Sequence, residues 1–383
     1  MKWELKTFDE IGFIGRGKSR HRPRNAEHLY GGEYPFVQTG DIKAANFRIY
    51  EYSQTYNEAG LSQSKLWKEG TLCITIAANI ADTAILGIDA CFPDSVIGFV
   101  PFEDKSDVRF VKYFFDIFQA RMKSISTGAA QDNLSLEKLL TFKIPTPSLP
   151  IQRKIASILS AYDDLIENNL KRIKFLEEKA FVRYRQIVRD EKMEEKSILD
   201  ICYITDGTHD SPKQQIDGFY LVTGKHLIGG FIDFSSAYFI SETEHDKIQK
   251  RSKVDNGDLV FSNIGTIGNV AIIDSPFEFS VKNVIIFKPI DPVFTSFLYC
   301  YLNSQEMQTR FQQESSGTSQ RFISLAYTRA LKLKLPNADF LKEFHEEVSI
   351  LLKLKSILNQ QNTKLREARD ILLPRLMNGE IEV

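Results

Sequence analysis

The sequence has few cysteines and no long apolar run, and each absence excludes a class of protein. The four cysteines, Cys73, Cys91, Cys202 and Cys300, form no CxxC pair, so neither a zinc ribbon nor a disulfide-rich scaffold is expected. No window approaches the roughly 18 apolar residues of a membrane span, and the N-terminus does not resemble a signal peptide. We therefore expect a cytoplasmic protein with reduced thiols and no membrane partner.

The chain also lacks net charge, because 49 Lys and Arg residues nearly balance 50 Asp and Glu residues. A polyanion site must therefore be a local patch. The six histidines form no HExxH motif or paired ligand spacing, so no metal site is expected. No glycine-rich phosphate or dinucleotide loop and no Asn/Asp-Pro-Pro-aromatic motif is present, which argues against a methyltransferase, and no cofactor is expected. At 383 residues and 43% hydrophobic content, the composition is that of a globular protein of two or three domains.

What the sequence does contain is an internal duplication. Four blocks recur in the same order at offsets between 184 and 190 residues: residues 6–17 with 196–207, 36–40 with 220–224, 69–86 with 256–273, and 126–136 with 315–325. Each copy then runs through a Pro-containing segment into a long helical stretch. A period this long is not that of a solenoid repeat. The chain is therefore predicted to contain two copies of one globular module, each followed by a helix.

Within each copy, strand-forming segments come first and helix-forming segments come later. Residues 94–101 and 278–290 hold Val, Ile and Phe runs typical of strands. Residues 107–124 and 295–311 have apolar residues at three-to-four spacing, which predicts one helix each. The pattern predicts an α+β fold for each module.

Two long segments, residues 151–190 and 338–377, have an apolar residue at every seventh position. This spacing indicates a coiled-coil seam. In the first segment the row is Leu159, Ile166, Ile173, Ala180 and Ile187, with Ile155, Tyr162 and Leu176 as a second row. In the second it is Phe344, Leu351, Leu358, Leu365 and Leu372, with Leu354 and Ala368 as a second row. Polar residues at Asn169, Gln361 and Asn362 interrupt these stripes.

The simplest use of two such helices is antiparallel pairing with each other, since a duplication relates them by pseudo-twofold symmetry. About 35 helical residues span roughly 50 Å, so the pair would form a rod with a module at each end. The alternative is that each helix packs only on its own module. A narrow apolar stripe among many charges is hard to bury in a globule, and this favours pairing.

Several of these segments resemble the DNA-specificity subunits of type I restriction–modification systems. The resemblance covers nearly the whole chain and is carried by IPTPSLPIQRKIASILSAYDDLIENN (residues 144–169), LREARDILLPRLMNGEIEV (365–383), TDGTHDSP (205–212) and VQTGDI (37–42). The second helix lacks the Gln-x-x-Ile entry of the first and has NADFLKEF instead.

The resemblance implies a non-catalytic subunit with two target-recognition domains. We call residues 1–150 the first module and residues 196–337 the second module. Residues 151–195 would be the central helix, 338–377 the C-terminal helix and 378–383 a tail. Each module would read one half of a split, asymmetric site in double-stranded DNA. The helices would set the spacer and dock two modification (methyltransferase) subunits, and restriction subunits would join through the complex.

In the first module, the densest basic stretch is GRGKSRHRPR at residues 15–24, which the glycines and proline predict to be a loop. Its cations suit phosphate contact, and one Arg could read guanine. An alternative is an ordinary solvated loop. The candidate DNA-binding residues there are Arg16, Lys18, Arg20, Arg22 and Arg24, with His21 among them. The following strand end adds Gln38, Thr39, Asp41 and Lys43, and a later loop adds Gln131 and Asn133. Any one of these could equally be a loop-capping residue.

The second module offers shorter and less basic counterparts. Asp206–Lys213 could equally be a plain turn that reverses the chain. Gln and Asn can pair with adenine and Arg with guanine, so a difference in these residues suits two readers of different sequences. The candidates are Thr208, His209 and Lys213 in the turn, Thr223, Lys225 and His226 at the strand end, and Gln320 and Arg321 in the later loop.

Two other functions compete with DNA recognition. Asp94, Glu103 and Lys105 loosely fit a nuclease pattern in which carboxylates hold Mg²⁺, but the second copy has no equivalent. A scaffold could use the coiled coil to join two protein partners without binding DNA. Salt-dependent binding to duplex DNA discriminates between these hypotheses.

Overall fold

The computed structural model describes residues 3–76, 81–125, 135–190, 192–315 and 321–383. The chain divides into two compact units. The first comprises Met1–Asn169 and Asn362–Val383, and the second comprises Leu170–Gln361. Each long helix contributes one part to each unit, because both boundaries fall inside a helix.

The first unit mixes short helices with antiparallel and parallel strands. Its strands are β1 (Glu4–Lys6), β2 (Gly12–Arg16), β3 (Tyr30–Phe36), β4 (Arg48–Ile49), β5 (Gln54–Tyr56), β6 (Leu66–Trp67), β7 (Leu72–Thr75), β8 (Thr83–Leu86), β9 (Ala90–Cys91), β10 (Val96–Pro101) and β11 (Ile144–Thr146). Its helices are α1 (Phe8–Ile11), α2 (Thr39–Ala44), α3 (Glu58–Ser62), α4 (Val108–Ile125), α5 (Leu136–Thr141) and the first part of α6 (Leu149–Asp190).

The second unit repeats this order. Its strands are β12 (Glu194–Ser197), β13 (Cys202–Asp206), β14 (Phe219–Thr223), β15 (Leu227–Ile228), β16 (Phe231–Ile232), β17 (Tyr238–Ile240), β18 (Leu259–Phe261), β19 (Val270–Ile272), β20 (Ser280–Lys282), β21 (Ile285–Pro289) and β22 (Lys332–Leu335). Its helices are α7 (Glu242–Ser252), α8 (Val293–Leu302), α9 (Gln305–Ser315), α10 (Leu325–Arg329) and the first part of α11 (Ala338–Met377).

The duplication inferred from sequence is visible in the sheets. The first unit has the strand order β2-β10-β7-β8-β4, and the second has β13-β21-β18-β19. In both, an antiparallel pair, β1·β11 or β12·β22, lies just ahead of the long helix. The remaining sheets differ, since the first unit has β5-β3-β9-β6 and the second has β17-β14-β20. The two modules therefore share a central frame and differ around it.

Each core packs strand residues against module helices and the long helices. In the first unit the Phe8 ring contacts Phe99 and Phe115, and the cluster extends to Ile155 of α6 and Leu376 of α11. In the second unit Tyr184 of α6 contacts Phe297 and Phe344. Each module is thus anchored on both long helices through its apolar core.

One predicted helix is wrong in its extent. Residues 295–311 form two helices, α8 and α9, that are separated at Asn303 and Ser304. The Ser304 hydroxyl accepts a hydrogen bond from the Met307 amide at 3.3 Å. A serine that caps a new helix start interrupts a pattern that apolar spacing alone reads as continuous.

The two long helices begin by different devices. Gln152, fully buried near the start of α6, donates to the carbonyls of Lys105 and Pro147 at 3.0 and 2.9 Å and accepts from the Asp107 amide at 3.1 Å. In α11 the Asn337 side chain accepts from the Phe340 amide at 3.1 Å, which is an ordinary N-cap. Gln152 therefore ties the start of α6 to the first module.

The predicted seam is formed within each unit by α6 against α11, and the direction is antiparallel. In the first unit Asp163 pairs with Arg369 and Asn169 with Asn362. In the second unit Glu177 pairs with Lys355, and Arg183 pairs with Glu343 and Glu347. Among the apolar residues at every seventh position, those that are buried are Leu159, Ile166, Ile173, Phe344, Leu351 and Leu358, and those that are half-buried are Leu365 and Leu372.

The predicted second row of α11 is wrong at Leu354, whereas Ala368 is half-buried. Leu354 is 42% exposed, and the inward positions lie three residues before the apolar row instead of three after it. They are Leu341, Val348, Lys355, Asn362, Arg369 and Leu376, again at sevens. Three of the six are polar, so a search for apolar residues selects Leu354 and Ala368 in their place.

Candidate nucleic-acid interface

The basic stretch of the first module follows strand β2 directly, so Arg16 belongs to the strand and the other cations to the loop after it. All five predicted cations, Arg16, Lys18, Arg20, Arg22 and Arg24, are exposed. The loop is held by backbone hydrogen bonds from Gly17 to Val96 and from Lys18 to Phe92. Exposed cations on an anchored loop present positive charge in a defined place.

Two of these arginines are already engaged by the protein. Arg24 donates twice to the Asp94 carboxylate, at 2.7 and 2.9 Å. Arg22 donates to the Ser19 carbonyl at 2.6 Å and lies 3.8 Å from Asp94. Asp94 therefore neutralises part of the cluster, and it serves this loop rather than the Mg²⁺ site of the nuclease alternative. In the described part of the chain, no group of three or more His, Cys, Asp and Glu side chains could hold a metal ion.

A cavity of about 260 Å³ connects the basic loop to the second predicted group. Its wall includes Arg24, Gln38, Thr39 and Gln54. The side-chain amide of Gln38 donates to Gln54 Oε1 at 2.7 Å. This bond uses one N–H group and one oxygen lone pair, so the pair keeps both a donor and an acceptor for a ligand. Gln54 was not among the predicted residues, because nothing in its local sequence marks it.

Residues 39–44, expected at a strand end, form helix α2, and Gln38 is its N-cap. Asp41 accepts from the backbone amide of Gln38 at 2.8 Å and from the Ser53 hydroxyl at 3.2 Å. Its carboxylate therefore holds the turn in this structure. Lys43 is exposed near the C-terminal end of the same helix.

The later loops lie mostly outside the described residues. Gln131, Asn133 and Gln320 fall in the segments that the structure leaves out. Arg321 is described and exposed, next to Phe322, whose side chain is 45% exposed. This group of candidates therefore stays a prediction from sequence.

In the second module the predicted turn is a network around Asp206, at the end of β13. His209 Nε2 lies 2.7 Å from Asp206 Oδ2, and its Nδ1 lies 3.0 Å from Asn283 Oδ1. Burial raises the pKa of Asp206, but the hydrogen bond from His209 and the charge of Arg251 outweigh burial and hold it below its usual value. His209 and Lys213 are exposed, while Thr208 is buried and bonded to the backbone of Val281.

Sequence reasoning missed the cations that surround this turn. Arg251 of α7 donates to Asp206 at 2.9 Å, and Lys247 of the same helix lies 3.0 Å from Asp210. Lys282 of β20 donates to the Ser211 hydroxyl at 2.7 Å. Residues 247–251, KIQKR, hold three cations in five positions, and this was the signal that could have identified them. The second module therefore gathers positive charge around its turn from two other elements, α7 and β20.

The second strand end, at the C-terminus of β14, behaves like the first. Thr223 is the N-cap of the 3₁₀ turn Gly224–His226. Burial, and then the charge of Lys225, lowers the pKa of His226. The neutral ring accepts from the Thr223 amide at 2.8 Å through Nδ1. His226 is fully buried, so it does not present a surface to DNA here, whereas Lys225 is exposed.

Like frames with unlike polar loops, supported by paired helices, define a class of duplicated recognition proteins. The family model described as the type I restriction modification DNA specificity domain matches this chain twice, at residues 1–178 and 190–367. The chain therefore belongs to the family of type I restriction–modification DNA specificity proteins. This membership confirms the predictions of an α+β fold with two recognition domains and of a specificity subunit rather than an enzyme.

Named relatives agree with this family. The MjaIX type I restriction enzyme specificity subunit of Methanocaldococcus jannaschii is 25% identical over 421 aligned positions, covering 100% of this chain and 94% of the relative. The EcoR124I/EcoR124II specificity subunit of Escherichia coli is 27% identical over 202 positions, covering 48% of each chain.

The crystal structure of the type I restriction–modification S subunit from M. genitalium superposes with a TM-score of 0.61 at 16% identity. The match covers 98% of this chain and 96% of that chain. At this identity the match establishes a common fold. Across the described ranges, no helix is long and apolar enough to cross a membrane.

Proposed function

We propose that the first module and the second module each read one half of a split, asymmetric site in double-stranded DNA. The observation that supports this most is the repeated central frame, which carries different polar residues at corresponding loops. Two modules that share an architecture but differ in their surface residues are expected to read two different half-sites. Homodimers, in contrast, read palindromes.

In the first module, the exposed cations Arg16, Lys18 and Arg20 are proposed to contact phosphates and set the position of the module. Base readout is assigned to the cavity beside them. The unused donor and acceptor of the Gln38–Gln54 pair match the N6 amino group and N7 of adenine in the major groove. Thr39 lines the same cavity, where its methyl group could contact a thymine.

In the second module, phosphate contact is assigned to Lys247, Arg251 and Lys282, together with the predicted Lys213 and Lys225. His209 is exposed above Asp206 and Asn283, so it can reach a base or a phosphate. Thr208, Thr223 and His226 are assigned to holding the turns, because they form hydrogen bonds with the module itself.

The domain boundaries from sequence remain our proposal: recognition modules at residues 1–150 and 196–337, helices at 151–195 and 338–377, and a tail at 378–383. In this proposal the helices set the spacer between half-sites and dock two modification subunits, and restriction subunits join through the assembled complex. The chain would act in the cytoplasm, where its DNA target lies.

The test is to co-express the chain with its modification subunit and to map methylated bases genome-wide by single-molecule sequencing. We expect one bipartite motif with two unlike halves and a fixed gap. A complex that assembles but leaves a palindromic or continuous motif would contradict the two-reader proposal. Failure of any complex to form would favour the scaffold hypothesis.

A swap separates the contributions of the modules. Replacing residues 196–337 by the corresponding module of a relative should change one half of the motif and leave the other half and the gap unaltered. A change in both halves would mean that the modules do not read independently.

A further inference from the structure

The seam between α6 and α11 contains two ion pairs, each with one buried member, whose signs follow one rule. In the first unit, Asp163 of α6 pairs with Arg369 of α11 at 2.5 Å. In the second unit, Glu177 of α6 pairs with Lys355 of α11 at 2.5 Å. Both acids lie on α6 and both bases on α11, so the two helices carry opposite charge at their inward positions.

Both pairs lie in surroundings where charge has a large effect. The Asp163 side chain is 0% exposed, and the Tyr113 hydroxyl donates to its second oxygen at 2.5 Å. The Lys355 side chain is 3% exposed, and its ammonium donates to the Tyr299 hydroxyl at 2.8 Å. A buried charge that loses its partner, or meets a like charge, is strongly unfavourable.

The spacing of these charges is the same on both helices. Asp163 and Glu177 are fourteen residues apart, and so are Lys355 and Arg369. Fourteen residues are two heptads, so the charges of one helix lie on one stripe. The midpoints are residues 170 and 362, next to the buried Asn169–Asn362 hydrogen bond of 2.9 Å.

This spacing determines what other pairings would bring together. If α6 paired antiparallel with a second α6 about residue 170, Asp163 would lie opposite Glu177 twice. If α11 paired in the same way about residue 362, Lys355 would lie opposite Arg369 twice. Like-helix pairing therefore puts two like-charged contacts in the seam, while α6 with α11 satisfies all four charges.

We propose that the two ion pairs are a sorting code, by which α6 accepts α11 of the same chain or of a second copy and rejects another α6. The Arg183 contacts with Glu343 and Glu347 have the opposite sign. However, Arg183 is 24% exposed and the two glutamates are 61% and 41% exposed, so these pairs have no buried member and contribute little. Each coded pair has one buried member, Asp163 or Lys355, although their partners Arg369 and Glu177 are 20% and 35% exposed. The partner that this surface fits is thus the complementary helix of an identical chain. The inference concerns only the helices and does not depend on DNA recognition.

The test uses three full-length variants. The first, D163R/E177K, makes both seam stripes basic. The second, K355E/R369D, makes both acidic. The third carries all four changes and restores opposite charges with the signs exchanged. Differently tagged copies are co-expressed in each pairing, and co-purification, oligomeric state and Tm are measured.

The basic and acidic variants should co-purify as a 1:1 heterodimer, at least about tenfold more than either variant with a tagged copy of itself. The fourfold variant should return to the oligomeric state of the wild type, with a Tm close to the wild-type value. Equal co-purification of like and unlike variants would overturn the proposal, as would single-sign variants that match the wild type in stability and oligomeric state.

If the single-sign variants are insoluble, the fourfold variant decides the question. Recovery of its Tm supports the code, and a Tm as low as that of the single-sign variants overturns it. The matched control is E178K/K364E, which reverses charges at exposed positions of the same helices and should leave all three measurements unchanged.

Discussion

The two modules present positive charge by different routes. In the first module, five cations fall within nine consecutive positions, at the end of β2 and in the anchored loop that follows it. In the second module, the corresponding turn has few cations, and Lys247, Arg251 and Lys282 reach it from α7 and β20. A duplicated frame therefore retains the place of a surface without retaining the sequence segment that supplies its charge.

The modules agree at another level. Asp41 and His226 are chemically unlike, yet each is the third residue of a short helical turn and accepts the amide hydrogen of its N-cap residue. Gly40 corresponds to Gly224 in the duplicated blocks, so the two turns start one residue out of register. The same type of turn is therefore closed by a carboxylate in one copy and by a buried neutral imidazole in the other. The geometry of the turn was retained and the residue type was not.

The largest expected effect comes from disrupting the packing between the two long helices, on which both modules are built. Leu351→Asp with Leu358→Asp places two carboxylates in the buried seam, and we expect a loss of more than about 4 kcal/mol in the free energy of unfolding. Thermal unfolding and co-purification with the modification subunit provide the measurement. The control is Ile350→Asp with Ile357→Asp, whose side chains are 61% and 39% exposed on the same helix. Survival of the assembled complex would remove the helices as its docking surface.

Next in size is charge reversal in the basic loop of the first module. Lys18→Glu with Arg20→Glu should weaken DNA binding by the assembled complex roughly 10–100-fold at all sequences and lower the salt slope by about two. Binding titrations at several salt concentrations measure both quantities. An unchanged slope would exclude this loop from the interface, and Lys143→Glu, at an exposed position after α5, is the control.

The second module should respond in the same way to changes at residues that lie far in sequence from its turn. Lys247→Gln with Arg251→Gln should weaken binding by about tenfold or more, with a slope again lower by about two. Lys334→Gln, exposed on β22, is the matched change outside the proposed surface. If only the first module affects the slope, the two modules do not share the work of phosphate contact.

A smaller effect tests the shared turn. Asp41→Ala should cost about 1 kcal/mol, as expected for a lost capping interaction. His226→Ala should cost about 2 kcal/mol, because it leaves a partly buried amide unpaired. Chemical denaturation measures these costs. A fall in DNA affinity without a fall in stability would show that either residue contacts DNA directly.

The smallest expected effect depends on pH and is confined to the second module. Because the pKa of Asp206 is lowered on folding, its ionised carboxylate adds stability above the unfolded-state pKa of 3.8, and this stability is lost as the pH falls through the lower folded value. Asp206→Asn should therefore cost up to about 1 kcal/mol near neutral pH, since the network is partly exposed. The difference from the wild type should disappear in acid. A constant difference at all pH values would contradict this account, and Asp217→Asn, an exposed position, is the control.

Local sequence was sufficient for the features that depend on neighbouring residues. The duplication, the two long helices and the apolar row at sevens could be recognised, because a 3.5-residue repeat acts along the chain itself. The basic loop was also recognisable, since its cations alternate with other residues over a short stretch of sequence. The family resemblance rested on short motifs of the same local kind.

Tertiary structure alone decided which polar residues face inward and which cations meet. Lys355, Asn362 and Arg369 belong to the seam only because Glu177, Asn169 and Asp163 lie opposite them, and an apolar search selects the exposed Leu354 instead. Gln54 and the cations of α7 likewise join their surfaces through strand order and helix placement. A buried polar group is stable only with a partner, and that partner lies up to about two hundred residues away, beyond what any local pattern can show.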